Sequence, residues 1–394
     1  MDPEIEHPEV YDFACGSGSL LLTVEEELQI PGSQKRRRVR YYGQELNTTN
    51  YNMARMNLMM HGVDYQMMDL RNADTLENGG RLNVKELSDG DSVRVMTWNT
   101  GYAALGENAD FFMDGGKSVS SSDKETVQEN LEAISEQIEE SDPDIVFMQE
   151  VDVDSKRSHY INELDAITGN LTGYSSSFAE NYKTLYVPYP LPTIGKVDCG
   201  LATLSKYEVS DCKRISLPCP FGYPMRLCNL KRCLMVSRVP IEGSDKELVL
   251  VNLHLEAYDD GDGKAAQTQQ LKKLLEEETE KGNYVIAGGD FNQEFSNYDN
   301  SAYPIINDDV WTPGEIDTDE FSDNLSFVTD NSTPSCRSLD RPLKGNDASP
   351  DKFQYYMIDG FMLADNLSVE SVETLDLDFK NSDHNPIVID MKLN

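Results

Sequence analysis

Basic residues are scarce in this chain. Its 394 residues hold 34 Lys and Arg against 70 Asp and Glu, a formal charge of −36. That balance argues against tight, sequence-independent nucleic-acid binding, because phosphate contacts need Lys and Arg. Long apolar runs are missing too, and none approaches the roughly 18–20 residues of a membrane span. The N-terminus, MDPEIEHPEV, lacks the basic start and apolar stretch of a signal peptide. Seven cysteines without regular spacing make no disulfide framework and fit reduced thiols in the cytosol. No Cys/His set has zinc spacing, and no Walker loop occurs. The expectation is a cytoplasmic, monomeric globular protein without a transmembrane segment.

What is present falls into two unlike parts. Residues 1–78 carry 7 Lys and Arg against 13 Asp and Glu, leaving 27 against 57 downstream, hence −6 and −30. In the first part, VYDFACGSGSLLLTVEEEL reads as strand, Gly/Ser turn and helix. RVRYYGQEL reads as a second strand ending in Glu45, Thr48 to Met60 as a helix, and DLRNADTL as a third strand. A small-residue turn lets backbone amides approach a ligand, and an acid ending the next strand can hold ribose hydroxyls. The polar stretch 79–93 reads as a linker, and 94–394 as a separate domain.

Over residues 9–78, the series ACGSGSLLLTV, YYGQELNTT and ARMNLMMHGV resembles the modification subunit of type I restriction systems, an adenine-N6 DNA methyltransferase. The resemblance implies Asp12, Gly16 and Gly18 against S-adenosylmethionine, Glu45 against its ribose and Asp74 against its adenine. Phe13 stands where that family usually has Pro, and its Asn/Asp-Pro-Pro-aromatic catalytic motif does not occur. The expectation is a truncated, partial Rossmann-like segment with cofactor-side features and no methylation chemistry.

In the second part, six apolar runs each carry a polar residue at or near one end. VRVMTWN ends in Asn99, PDIVFMQE in Glu150, and ELVLVNLHLEA bears His254. NYVIAGGDFN supplies Asp290 and Asn292, YYMIDGFML holds Asp359, and NSDHNPIVID opens with Asp383 and His384. A buried strand has no packing need for such residues. Taken singly, each has a plain reading as a turn former, a cap or a satisfied core histidine. Their order resembles the endonuclease/exonuclease/phosphatase superfamily, the fold of DNase I and neutral sphingomyelinases.

That resemblance implies a four-layer α/β sandwich and Mg²⁺-dependent phosphoester hydrolysis, with Mn²⁺ as a substitute ion. Glu150 would be the main metal ligand, with Asn99 beside it and Asp383 touching a metal. Asp290 would orient or deprotonate the attacking water, Asn292 would bond a phosphoryl oxygen, and His254 would donate to phosphate. His384 would contact phosphate or transfer a proton, its ring held cationic by Asp359. Arg337 in SCRSLDRP is a further candidate phosphate ligand. The Pro-rich stretch 187–200 and Arg157 are expected near the cleft. Given the charge of −30, a small or lipid-headgroup phosphoester is the expected substrate. A DNase-type endonuclease is the rival reading, and a catalytically dead adaptor the non-enzymatic one.

Overall fold

The computed structural model describes residues 9–12, 14–27, 39–45, 47–63, 67–71, 85–120, 122–259, 262–307 and 310–394. The chain divides into two units, Met1–Asn83 and Val84–Asn394.

The first unit holds β1 (Glu9–Asp12), α1 (Ser19–Glu27), β2 (Arg40–Gln44), α2 (Thr48–Met60) and β3 (Met68–Arg71). The three strands are parallel in the order β1-β2-β3, joined by the two helices as the sequence pattern requires. Asn47 caps α2 by accepting from the Thr49 and Asn50 amides. Leu21, Tyr41, Ala54 and Leu58 form a small core. Gly18 has φ +76, and a Cβ there would meet Ala54 at 3.3 Å, so a side chain would press the turn against α2.

The second unit is a four-layer α/β sandwich built on two six-stranded sheets. Its elements run β4 (Ser92–Asn99), α3 (Lys124–Ser141), β5 (Ile145–Asp152), α4 (Glu163–Asn170), β6 (Ser175–Val187) and β7 (Gly195–Ser205). There follow β8 (Asp211–Ser216), β9 (Cys233–Pro240), β10 (Glu247–His254), α5 (Asp262–Glu280) and β11 (Tyr284–Asp290). After the short strands β12 (Gln293–Phe295) and β13 (Gly314–Ile316) come β14 (Leu325–Val328), β15 (Cys336–Arg337) and β16 (Tyr355–Tyr356). The chain closes with β17 (Asp359–Ala364), β18 (Leu367–Thr374) and β19 (Ile387–Leu393). One sheet has the order β18-β19-β4-β5-β7-β6 and the other β14-β17-β11-β10-β9-β8.

Period-two alternation assigns the faces. Val93 and Val95, Ile145 and Phe147, Leu248 and Leu250, Ile286, Phe361 and Leu363, and Ile387 and Ile389 pack between the sheets. The opposite faces of β4 and β5 present Met96, Trp98, Val146 and Met148 to the Val127, Leu131, Ile134 and Ile138 stripe of α3. On the second sheet, Val249, Val251, Val285 and Ala287 meet Leu271 and Leu275 of α5.

Two expectations change. Residues 85–93 are not linker. Lys85 bridges to Tyr207 and ion-pairs with Asp144, Leu87 is a buried part of the inter-sheet core, and Ser92 already begins β4. The polar neighbours of Leu87 concealed that anchoring in the sequence. The run YYMIDGFML is likewise two strands. Tyr355 and Tyr356 pair with β15, while Asp359 onward joins the large sheet through β11.

Helix α5 is fastened by Glu278, whose side chain is 4% exposed and accepts from Arg238 at 2.7 Å on β9. Burial opposes its ionisation, but hydrogen bonds from Arg238, Lys281 and Asn283 outweigh that and hold its pKa at about 2. A depressed carboxyl pKa contributes stability above its unfolded value and loses it as pH falls toward the folded one. Glu278→Gln should therefore lower unfolding free energy by about 1–2 kcal/mol at pH 7. Urea titrations repeated from pH 7 downward should show the difference closing below about pH 4.

Candidate active site

Parity carries the inter-sheet core into a polar cluster at one end of the sandwich. Asn99 follows Val93 and Val95, His254 follows Leu248 and Leu250, and Asp290 follows Ile286, each at an even spacing on the inward face. Asp359 precedes Phe361 and Leu363 in the same way. Because β11 and β17 are antiparallel, Asp290 and Asp359 are cross-strand partners. β19 is antiparallel to β4, with Ile387 opposite Thr97, which sets Asp383 and His384 beside Asn99.

Glu150 breaks the parity, since Ile145, Phe147 and Gln149 take the inward positions of β5. A bulge between Met148 and Val151 re-aims it, and Glu150 has φ +57. Such a backbone is costly for a side-chain-bearing residue, and bulges redirect side chains at working sites. Asn292 is similarly strained at φ +52. Gly101 is required by contact: it has φ +53, and a Cβ there would lie 2.6 Å from Asp383 Oδ1.

The centre is Asp290. Its Oδ2 accepts from Asn99 Nδ2 at 3.0 Å and lies 3.3 Å from His254 Nε2 and 3.8 Å from His384 Nε2. Its Oδ1 accepts the Asn292 amide at 2.8 Å. Asn99 Nδ2 is also 3.5 Å from Glu150 Oε1, and its Oδ1 accepts the Gly101 amide at 3.0 Å. His384 donates from Nδ1 to Asp359 Oδ2 at 2.8 Å. Ser382 donates to the Asn99 carbonyl at 2.8 Å, and the Trp98 indole to the His384 carbonyl at 2.9 Å, fixing the Asp-His turn. Beneath lies a buried amide pair across the sheets, with Gln149 Nε2 donating to Asn252 Oδ1 at 2.8 Å.

The electrostatics are those of too much buried acid. Burial, then Asp359, push Asp290 up to about 7, against His384 and the Asn292 and Asn99 bonds. Burial raises Asp383 to about 6, with Glu150 adding to it and His384 opposing it. Burial works against an imidazolium at His384, but Asp359 and Cys336 raise it well above the usual histidine value. His254 goes the other way, lowered by burial and by Arg232 and His384, and its Nδ1 has no partner. One ring is thus cationic and the other neutral at pH 7. Ligand atoms of Asp290, Asp359 and His384 lie within 4.8 Å of one another, as do those of Cys336, Asp383 and His384; Glu150 belongs to neither trio.

Several expected residues have other duties. Arg337 does not face phosphate. The residue is 1% exposed, and its guanidinium donates to the carbonyls of Ser338, Leu105, Gly106 and Ala109, at 2.9, 3.1, 2.7 and 3.3 Å. Arg157 is bidentate to Asp152 at 3.0 Å, with its guanidinium 3.7 Å over the Tyr102 ring. One amide hydrogen of Asn292 is committed to the Leu255 carbonyl at 3.0 Å, which leaves the other. Sequence reading missed Arg232, which is buried, donates to the His254 carbonyl at 3.3 Å and lies 3.5 Å from Glu256. No motif marks it. It also missed Asp114, which burial raises to about 7 and which accepts from the Tyr258 hydroxyl at 3.0 Å.

In the first unit, Gly16 has the positive φ its turn needs, but its amide donates to Glu45 Oε2 at 2.9 Å. Glu45 Oε1 accepts the Asn47 amide at 2.9 Å, and Asp12 accepts that of Ala14 at 3.1 Å. Gly16 and Glu45, both expected to face a cofactor, thus bond each other, and Asp12 accepts from nearby backbone. Asp74 lies outside the described residues.

Over residues 96–344 the sequence matches the Endonuclease/Exonuclease/phosphatase family, and the chain belongs to that family. The match ends before Asp359, Asp383 and His384, which the fold nevertheless brings into the cluster. Residues 3–104 match N-6 DNA Methylase. The methylase subunit of the type I restriction enzyme MpnII of Mycoplasma pneumoniae is 53% identical over 68 residues, 17% of this chain and 12% of that protein. Among solved structures, an endonuclease/exonuclease/phosphatase from Beutenbergia cavernae superposes with a TM-score of 0.50 at 17% identity, covering 77% of this chain and 72% of its own. TDP2 from Caenorhabditis elegans superposes with a TM-score of 0.47 at 15% identity, covering 88% and 87%.

The clamp at Arg337 is testable. Arg337→Met should strand four carbonyls and cost about 3 kcal/mol of unfolding free energy by urea titration. Undiminished stability with a raised KM would restore the phosphate role.

Proposed function

We propose that the second unit hydrolyses phosphoesters with the help of a divalent cation. One observation carries this reading: Asp290 meets Asn99, His254 and the His384–Asp359 pair, drawn from both sheets, at one end of the core. A phosphodiester resists attack because it is anionic, so its hydrolysis needs a water-activating base and donors aimed at the phosphoryl oxygens.

Asp290, near neutrality in its affinity for protons, is suited to take one from an attacking water. The Asn99 amide holds its Oδ2. His384, charged through Asp359, donates from Nε2 to a phosphoryl or leaving-group oxygen, and neutral His254 donates its single N–H. The free hydrogen of Asn292 is a third donor. The residues fit a hard cation, since the donors are oxygens and two carboxyls carry raised pKa values from crowded burial. Glu150 and Asp383 would hold Mg²⁺, or Mn²⁺ in its place, with Asn99 orienting Glu150. When bound, the ion supplies charge neutralisation at the phosphate. A small or headgroup phosphoester suits a unit that carries −31, since it needs only the local field of the site.

On an aryl phosphodiester, Glu150→Gln should lower kcat at least ~100-fold, and EDTA should stop turnover until Mg²⁺ is restored. Full turnover in EDTA would end the metal reading. Faster nicking of plasmid DNA than turnover of small diesters would install the endonuclease instead.

Asp359→Asn and His384→Ala should each cost on the order of 10²-fold in kcat, and the double variant little more than the worse single one. Multiplying losses would mean that the 2.8 Å bond does not join them in function.

A further inference from the structure

Two loops leave the sandwich at the same end as the candidate site. One, 188–194, joins β6 to β7; the other, 217–232, joins β8 to β9. The register fixes that end: Leu234 of β9 pairs with Leu253, next to His254, and Cys199 of β7 pairs with Asp152, two residues past Glu150. The second loop is fastened to β6, and Ile194 of the first loop and Leu230 of the second pack on one apolar cluster with Tyr182 and Val187. The Tyr182 hydroxyl donates to the Cys228 carbonyl at 2.8 Å, and the Cys228 thiol to the Tyr186 carbonyl at 3.7 Å.

Their tips are apolar and bare. Leu185, Tyr189 and Leu191 are 87%, 69% and 86% exposed, and Tyr223, Met225 and Leu227 are 85%, 61% and 56% exposed. Single exposed apolar residues are ordinary, but such a set on two neighbouring loops and the adjoining end of β6 marks an interaction surface.

Charge is segregated around them. In a chain with 70 acidic residues, neither 181–197 nor 212–241 contains one, while 212–241 holds six Lys and Arg. Arg226 lies between Met225 and Leu227. Arg214, Arg226 and Lys231 are exposed, and none is in an ion pair among the described residues.

We propose that this apolar, basic tip docks on an anionic lipid surface and so presents the site to the bilayer interface. Leu and Met side chains offer no stacking face for nucleic-acid bases but gain from burial at the acyl boundary, and Arg and Lys gain from anionic headgroups. The net negative charge elsewhere is screened beyond about 8–10 Å, so the tip dominates a tip-first approach. No helix among the described residues is long and apolar enough to cross a membrane, so the loops carry the contact. Docking goes beyond the hydrolytic reading and is measured without turnover.

The test is co-sedimentation of the full chain with phosphatidylcholine vesicles, with and without phosphatidylserine. Binding should require phosphatidylserine and fall as salt is raised. Leu191→Asp with Met225→Asp should weaken it at least about tenfold, as should Arg226→Glu with Lys231→Glu. Both variants should melt like the parent and cleave a soluble diester at its rate. Absence of binding to phosphatidylserine vesicles, or equal binding by parent and variants, would overturn the proposal. So would a dimer lost in the Leu191/Met225 variant, or tip-dependent oligonucleotide binding, either one without vesicle binding.

Discussion

Asp290 Oδ2 is the point on which the second unit's two sheets converge. Asn99 reaches it from one sheet at 3.0 Å, His254 faces it from its own sheet at 3.3 Å, and His384 faces it from the turn before β19 at 3.8 Å. The Asp359–His384 bond and the Gln149–Asn252 bond span the same gap. A buried carboxylate is tolerable only when its oxygens are occupied by donors. The need to satisfy Asp290 therefore holds the sheet ends in register.

This arrangement leaves more acid buried than the neighbouring cations neutralise. The raised Asp290 and Asp383 and the raised His384 are aspects of one charge balance, in which each group's protonation depends on the next. Strain follows the same map. Glu150 and Asn292 hold left-handed backbone at the rim, and Gly101 is bare because Asp383 lies where its side chain would be. Strain of this kind persists where surrounding structure over-determines it.

The arginines show a different logic. Arg337 and Arg157 look like phosphate ligands because Arg so often serves that purpose. Here one gathers backbone carbonyls and the other fills a buried ion pair beneath an aromatic ring. Each holds a loop flanking the cluster. The first unit has turned inward similarly, with Glu45 satisfying the Gly16 and Asn47 amides. In both units a residue that motif logic aims at a ligand is occupied by the protein's own backbone.

Much of the second unit was legible in sequence because a strand alternates with period two. That local rule, applied along VRVMTWN, ELVLVNLH and the run ending in Asp290, places Asn99, His254 and Asp290 on the face shared with the apolar core. The βαβαβ pattern of the first unit was equally local. The aim of Glu150 was not legible, because a bulge depends on how β7 pairs opposite it. Nor was the direction of Arg337, since the carbonyls it gathers at Leu105, Gly106 and Ala109 lie more than 220 residues away in the chain. Leu87 looked like linker because its neighbours are polar, and only the inter-sheet core could claim it. Alternation and turn chemistry are properties of a few consecutive residues, whereas bulges, long-range hydrogen bonds and buried charge balance arise only when distant segments meet.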